Sequence, residues 1–220
     1  MKHLRKAALG SALALFGVAH AGIVVDDFGT PLTGATLSIS TAGAGVTTLT
    51  DSPTIGPDIL GTRNVTYTIN ATGSSVDAVK INVLPYTSGL DQTTDTGASP
   101  DLTLDYTGFV RNLSANTLTL NDFNTDANTE QVQAWFTDGS ANVSSSGWVS
   151  VAASHSGDLT LTLAGTANLA DIQHIKVELM GAPGADFNMN AITVVPEPSA
   201  YGGLAALGLL GTVIWRRARA

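Results

Sequence analysis

The strongest constraint on the fold is an alternation of apolar and polar side chains that recurs through residues 22–195. Alternation with period two gives an extended strand one apolar and one polar face, and a sheet buries the apolar face against a second layer. The apolar sets are Val65, Tyr67 and Ile69; Val79, Ile81 and Val83; Leu102, Leu104 and Tyr106; Leu118 and Leu120; Val132, Ala134 and Phe136; Leu159, Leu161 and Leu163; and Ile175, Val177 and Leu179. This pattern predicts an all-β protein.

Turn residues separate the strand-like runs, for example Asp138-Gly139 and Ser156-Gly157-Asp158. About ten short strands with such turns are typical of an antiparallel β-sandwich, and we expect one of the jelly-roll type. Only residues 167–171 favour a helical turn, which Asn168 or Asp171 is expected to cap.

The first 21 residues have the three parts of a secretory signal peptide. Lys2, Arg5 and Lys6 precede an apolar run, and Ala19 and Ala21 supply the small side chains that signal peptidase requires before its cut. We therefore expect cleavage after residue 21 and export of the remaining chain.

The chain ends in an uncharged apolar segment, residues 200–215, followed by the basic tip Arg216, Arg217 and Arg219. A helix of this length spans about 24 Å, which is short of the roughly 30 Å hydrocarbon core of a bilayer. The segment is therefore a marginal membrane span. Its basic tip is expected to stay in the cytoplasm, which places the preceding domain outside.

The charge of the central region excludes nucleic acid as a partner. Residues 22–195 contain four basic and 17 acidic residues, a net charge of −13, which repels phosphate backbones. An acidic surface of this kind either binds divalent cations or serves only to keep the protein soluble. The chain has no cysteine, which excludes disulfides, thiolate metal sites and a cysteine nucleophile.

The densest polar stretch places oxygen-bearing side chains at every second position: Asp122, Asn124, Asp126, Asn128 and Glu130. Calcium prefers six to eight oxygen ligands, so Asp122, Asn124 and Asp126 are candidate ligands. A complete EF-hand loop is excluded, because Ala127 stands where the loop needs glycine and Gln133 where it needs glutamate. A solvated loop is the alternative.

No motif of a known catalytic type accompanies His155 or His174, and no carboxylate pair stands out for glycoside hydrolysis. We therefore expect a protein without enzymatic activity and keep a glycan hydrolase as the less favoured alternative. Trp135 and Trp148 are candidates for stacking against sugar rings, with packing in the core as the alternative. Trp135 precedes Phe136, so one of these two rings is expected to face outward.

The tail resembles a known sorting signal. Pro196, Glu197 and Pro198, followed by an apolar helix and a basic tip, are similar to the PEP-CTERM signal of exported proteins from Gram-negative bacteria that make extracellular polysaccharide. The resemblance implies that these three residues are the recognition motif for exosortase, a membrane transpeptidase-like enzyme. Residues 200–215 would then be a transient span of the inner membrane. The alternative is a permanent anchor joined by a stiff Pro-Glu-Pro linker.

The central region is similar to the galactose-binding-like jelly rolls that bind carbohydrate. The likeness rests on "IVVDDFGT" at residues 23–30 and "DFNMNAI" at residues 186–192, where the usual late Asp-Asn pair has become Asn-Ala. It implies that the first and last strands are neighbours and that Asp26 or Asp27 shares a calcium ion with Asp186, Asn188 and Asn190. Polar side chains facing solvent are the alternative.

The sequence thus predicts three parts: a signal peptide at residues 1–21, a β-sandwich at 22–195 and a sorting signal at 196–220. After a transient stage at the inner membrane, the protein is expected at the cell surface or in the extracellular matrix. The expected role is structural or adhesive, in the envelope or in the exopolysaccharide of a biofilm. A calcium-assisted carbohydrate-binding module is the alternative. Signal peptidase and exosortase are the expected processing partners, and polysaccharide is a candidate ligand.

Overall fold

A computed structural model describes residues 22–29, 36–39, 45–50, 54–55, 58–69, 77–83, 88–94, 97–113 and 115–195. Ile23–Val195 forms one compact unit. The predicted signal peptide, with Ala19 and Ala21, lies outside the described residues. So does the predicted sorting signal, with Pro196, Glu197, Pro198 and the basic tip.

The described residues form strands and a single short 3-10 helix. In chain order the strands are β1 (Ile23–Asp26), β2 (Thr36–Ile39), β3 (Gly45–Thr50), β4 (Thr54–Ile55), β5 (Ile59–Leu60), β6 (Thr62–Ile69), β7 (Asp77–Val83), β8 (Ser88–Thr93), β9 (Pro100–Thr107), β10 (Thr117–Asn121), β11 (Asn124–Thr125), β12 (Glu130–Asp138), β13 (Val143–Ser145), β14 (Val149–Val151), β15 (Leu159–Thr162), β16 (Ala164–Gly165), β17 (Ile172–Gly181), β18 (Phe187–Met189) and β19 (Ala191–Val194).

The strands pair antiparallel throughout the described residues. The large sheet has the order β16-β13-β12-β17-β9-β6-β3, and β14 also pairs with β12. A four-stranded sheet has the order β1-β19-β10-β15, and a five-stranded sheet the order β11-β18-β8-β7-β2. Strands β4 and β5 form a separate pair.

The apolar faces of these sheets meet in one hydrophobic core. Strands β6, β9 and β12 alternate between buried and partly exposed side chains along most of their length. Their buried residues join those of β10, β18 and β19 in a single cluster. The predicted antiparallel β-sandwich is therefore confirmed. The first and last strands are also neighbours, with Ile23 opposite Val194, as the jelly-roll resemblance implied.

The predicted helical turn is confirmed as a 3-10 helix at Leu169–Asp171. Asn168 caps it, because its side-chain oxygen accepts a hydrogen bond from the backbone N–H of Ala170 at 3.1 Å. Among the residues that the structure describes, no helix is long and apolar enough to cross a membrane.

A buried ion pair connects two of the sheets. Arg63 of β6 donates from Nη1 to Oδ2 of Asp26 in β1 at 2.8 Å, and the two side chains are 0% and 1% exposed. Tyr106 also donates to Oδ2, at 3.1 Å, and the backbone N–H of Phe28 donates to Oδ1 at 2.8 Å. Burial raises the pKa of Asp26, and the charge of Arg63 opposes that rise.

This position disagrees with the calcium role predicted for Asp26. Both of its carboxylate oxygens accept hydrogen bonds inside the core, so it acts as the counterion of Arg63. Asp27 is partly exposed, and its Oδ1 accepts a hydrogen bond from the backbone N–H of Gly29 at 2.9 Å. A calcium role for Asp27 stays a prediction.

Replacing Asp26 with alanine should destabilise the domain by about 3–5 kcal/mol, because it leaves a buried guanidinium without its counterion. Urea unfolding of the full-length protein measures this loss. The matched control is Asp27→Ala, the neighbouring acidic residue, which is expected to cost much less. Equal losses in the two variants would show that the pair is not a central contact of the fold.

Candidate functional site

The large sheet directs Trp135 away from the core. Phe136, its neighbour in β12, is fully buried, so the two rings lie on opposite faces of the sheet, as predicted. Trp148 lies between β13 and β14 and is 44% exposed. Neither tryptophan belongs to the hydrophobic cluster of the described residues, and core packing is therefore not their role.

A short turn after β13 holds Trp148 beside Trp135. The backbone N–H of Ser146 donates to the carbonyl of Ala134 at 3.1 Å, and its hydroxyl accepts from the N–H of Ala134 at 3.0 Å. Gly147 then adopts a φ of 64°, a left-handed conformation that favours glycine over most other residues. The ring centroids of the two tryptophans are 6.5 Å apart and the rings are nearly perpendicular, at 85°. This edge-to-face geometry is favourable.

Asp138 fixes the hairpin that leads from β12 to this turn. Its Oδ1 accepts from the backbone N–H groups of Ser140 and Asn142, both at 2.9 Å. Its Oδ2 accepts from the N–H of Asn168 at 2.7 Å. Hydrogen bonds from the Asn142 side chain and from these N–H groups lower the pKa of Asp138 to about 2. The carboxylate therefore stays charged at neutral pH and retains these hydrogen bonds across the hairpin loop.

Strand β17 adds Lys176 directly opposite Trp135. The ammonium nitrogen of Lys176 lies 4.8 Å from the centroid of the Trp135 ring, within the range of a cation–π interaction. It also donates to Oε2 of Glu178 at 2.9 Å. The lysine covers part of Trp135 and leaves Trp148 as the more exposed ring.

Strand β9 contributes a further polar side chain next to Lys176: Asp105, which lies directly opposite it. Its Oδ1 contacts Nε2 of His174 from β17, and both side chains are about one third exposed. We call this group of outward-facing residues the aromatic face, and it consists of Trp135, Trp148, Asp105, His174, Lys176 and Glu178.

The register aligns part of this surface into a row. Trp135, Lys176, Asp105 and Asn64 lie opposite one another in four neighbouring strands. At a strand spacing of about 4.8 Å the row is about 14 Å long. It is aromatic at one end and polar at the other, and it therefore suits an extended polymer that crosses the strands.

The other calcium candidates meet at a different place, along β11 and β18. Asn124 lies opposite Asn188 and donates to its side-chain oxygen at 3.0 Å. The side chain of Asn190 donates to Oδ2 of Asp122 at 2.8 Å. The structure thus brings together two sets of residues that the sequence suggested separately.

These contacts do not by themselves make a metal site. Within the described part of the chain, no group of three or more histidine, aspartate or glutamate side chains has a metal-binding geometry. Calcium binding by Asp122, Asn124, Asn188 and Asn190 stays a prediction. Asp126 and Asp186 lie together as well, with the N–H of Asp126 donating to the carbonyl of Asp186 at 3.1 Å.

The structure adds Glu130, which was not among the predicted site residues. Its side chain is 1% exposed, and neither carboxylate oxygen has a hydrogen-bond partner. Burial, together with the negative charges of Asp126 and Asp186, raises its pKa from 4.5 to about 8. In the sequence it appears only as the last residue of the polar stretch. The alternation of β12, which places Glu130 in phase with buried Val132, is the signal that indicates an inward side chain.

Glu130 should make the stability of the domain fall as the pH rises. Glu130 loses its proton near pH 4.5 in the unfolded chain and only near pH 8 in the folded protein. The stabilisation of the folded state by this proton is therefore complete below pH 4.5, and it declines as the pH rises to about 8. The slope is at most roughly 1.4 kcal/mol per pH unit. We expect Glu130→Gln to remove it, as measured by urea unfolding at pH 5 and pH 8 in the presence of a chelator.

The control for this experiment is Asp171→Asn, which neutralises a carboxylate in the 3-10 helix. It should retain the pH dependence of the wild-type protein. The assignment would be wrong if the stability difference between wild type and Glu130→Gln were the same at both pH values.

Comparison with known proteins identifies the tail. Residues 194–219 match the PEP-CTERM protein-sorting motif, which confirms the resemblance of that segment. The motif indicates export and a surface or extracellular location, and it implies processing by exosortase. It covers only the C-terminal end and leaves the role of the β-sandwich open.

No curated protein sequence matches the chain. Among solved structures, the family 11 carbohydrate-binding module of a cellulosomal cellulase from Clostridium thermocellum is 16% identical, with a TM-score of 0.39 and coverage of 80% of this chain and 96% of the module. The Clostridium thermocellum family 11 module in complex with a mixed-linked tetrasaccharide is 14% identical, with a TM-score of 0.36 and coverage of 80% and 98%. An exo-β-agarase is 10% identical, with a TM-score of 0.41 and coverage of 81% and 26%. At such low identities, the sugars of those proteins are not assigned to this chain.

Proposed function

We propose that this protein, which carries a PEP-CTERM sorting motif at residues 194–219, binds polysaccharide outside the cell through its aromatic face. The observation that carries the proposal is the exposed ring of Trp148, which is supported edge to face by Trp135. A large apolar ring among polar groups suits the alternating apolar and hydroxyl surfaces of a sugar.

The polar residues of the aromatic face favour an uncharged glycan. Carboxylates such as Asp105 and Glu178 accept hydrogen bonds from hydroxyl groups, and Lys176 donates them. A strongly anionic polysaccharide would meet these two carboxylates and the net charge of −13 in residues 22–195, and would be repelled. The ligand class proposed is therefore a neutral polymer in an extended conformation.

In this proposal the protein has a structural or adhesive role and no enzymatic activity. By holding an extracellular glycan, it would connect the cell surface to the exopolysaccharide matrix of a Gram-negative biofilm. The alternative is a hydrolase that binds the same polymer in order to cleave it. Release of shorter oligosaccharides from the bound glycan would favour the hydrolase.

Replacing either Trp135 or Trp148 with alanine should weaken glycan binding by about tenfold or more, which corresponds to about 1.4 kcal/mol. The measurement is a glycan array with the full-length protein in detergent, followed by titration of the best ligand. Trp148→Phe should retain part of the affinity, because it keeps an aromatic ring.

The matched control is Val110→Ala, which shortens another exposed apolar side chain, 64% exposed, in the connection after β9. It is expected to bind like the wild-type protein. Unchanged binding in both tryptophan variants would place the glycan elsewhere on the domain, and an array without any ligand would refute the proposed function.

We extend the proposal to the route of export. The signal peptide would be removed first, and residues 200–215 would hold the chain in the inner membrane until exosortase cleaves near Pro196, Glu197 and Pro198. Support comes from the matched motif and from the short apolar segment and basic tip that follow it.

Cleavage predicts that the mature protein at the cell surface lacks the apolar segment and the basic tip. Intact mass spectrometry of the surface-extracted protein should show this loss. Replacing Pro196, Glu197 and Pro198 together with alanine should leave the tail in place and retain the protein in the inner membrane. A surface form of the unaltered protein that still ends at Ala220 would contradict processing.

A further inference from the structure

The apolar end of the aromatic face continues onto the neighbouring strand β13. Ser145 lies directly opposite Trp135, and Val143 lies opposite Thr137. Val143 and Ser145 are two residues apart in one strand, so they share the face of the sheet that carries Trp135. A residue diagonally across from a tryptophan is within reach of its ring, and Val143 is 45% exposed. Trp135 therefore has two exposed apolar neighbours, Val143 and Trp148.

The hydroxyl of Ser145, between these apolar groups, has a proton that it does not share. Its Oγ accepts a hydrogen bond from the side-chain amide of Gln133 at 2.8 Å and from the backbone N–H of Gly147 at 3.0 Å. A serine hydroxyl can also donate one hydrogen bond, and the proton of Ser145 has no acceptor among the described residues. Because Ser145 is partly exposed, this proton is available to an acceptor atom of a ligand.

The strand on the other side of Ser145 adds little bulk beside this hydroxyl. In β16, Ala164 lies opposite Ser145, and Ala164 and its neighbour Gly165 are both exposed. Neither residue has a side-chain atom beyond Cβ, which leaves room for a small ligand group. We call Val143, Ser145, Ala164 and the two tryptophans the serine corner.

The angle between the two tryptophan rings decides how a sugar fits the serine corner. A sugar ring stacks flat against one aromatic ring, and two rings at 85° cannot both stack on the same sugar. Trp148 is the more exposed ring and therefore takes the sugar. Trp135 then forms a wall at the side of that sugar, next to Ser145, where it contacts a substituent of the sugar ring.

We propose that the serine corner binds an acetyl group, so that the neutral glycan of the proposed function is an acetylated one. An acetyl group combines a methyl group with a carbonyl oxygen. The methyl group suits the apolar surfaces of Trp135 and Val143, and the carbonyl oxygen accepts the hydrogen bond that Ser145 has free to donate. A bare sugar hydroxyl in the same place would lie against two apolar side chains and lose part of its hydration. The inference rests on the proposed glycan function and names the class of glycan.

The test is an array that presents each neutral glycan with and without its acetyl groups to the full-length protein in detergent. One pair is chitohexaose and cellohexaose, which share their linkage and differ in an acetamido group against a hydroxyl. Another is an acetylated glucomannan before and after mild alkali, which removes acetyl esters. We expect acetylated glycans to bind about tenfold more tightly than their partners. The pairs that show this preference distinguish an acetamide from an ester.

Two variants of the serine corner should reduce this preference about threefold or more. Ser145→Ala removes the donor, and Val143→Thr replaces an exposed methyl group with a hydroxyl. Ser145→Ala also removes the acceptor of Gln133 and Gly147, whereas Val143→Thr leaves that turn unchanged. The matched control is Ser150→Ala, which removes an exposed hydroxyl from β14 and should keep the wild-type preference.

Equal affinity of the wild-type protein for acetylated and unacetylated glycans would overturn the inference and leave the proposed glycan function standing. A preference that stays unchanged in both Ser145→Ala and Val143→Thr would overturn it as well, since the acetyl group would then be bound elsewhere. If the wild-type protein binds no glycan of either kind, the proposed function fails and the inference fails with it.

Discussion

The buried pair of Arg63 and Asp26 joins the four-stranded sheet to the large sheet, because Asp26 ends β1 and Arg63 lies in β6. Tyr106 of β9 and the backbone at Phe28 donate to the same carboxylate. A core that encloses such a pair tolerates little relative movement of its layers, since separating the charges leaves one of them buried alone. The aromatic face lies on the outer surface of the same large sheet, mainly on β12, β17 and β9.

The aromatic face and the region around Glu130 occupy different parts of the sandwich and use different chemistry. In the first, two tryptophans, a lysine and nearby carboxylates are partly exposed, which suits a ligand that arrives from solvent. In the second, the carboxylate of Glu130 and Oε1 of Gln92 are buried, and Gln92 lines a cavity together with Asp126 and Asp186.

Much of the architecture was accessible from the sequence because period-two alternation is a local property. The runs around Tyr67, Leu104 and Phe136 became central strands, and the cap at Asn168 formed as predicted. The tail was recognisable for the same reason, since its motif, apolar segment and basic tip follow one another directly. The role of Asp26 as counterion was not accessible, because the sequence shows an acidic residue in a strand and does not show that Arg63 faces it from the other layer.

The sequence by itself determined the all-β fold, the acidic exterior and the sorting signal at residues 194–219, since each depends on neighbouring residues alone. Only the tertiary structure decided which side chains meet. The strand register brought Lys176 and Asp105 into line with Trp135, and the turn at Gly147 set Trp148 against it. The same folding buried Glu130 opposite Gly181. Such contacts join residues far apart in the chain, and their geometry arises from packing between strands, which no local pattern records.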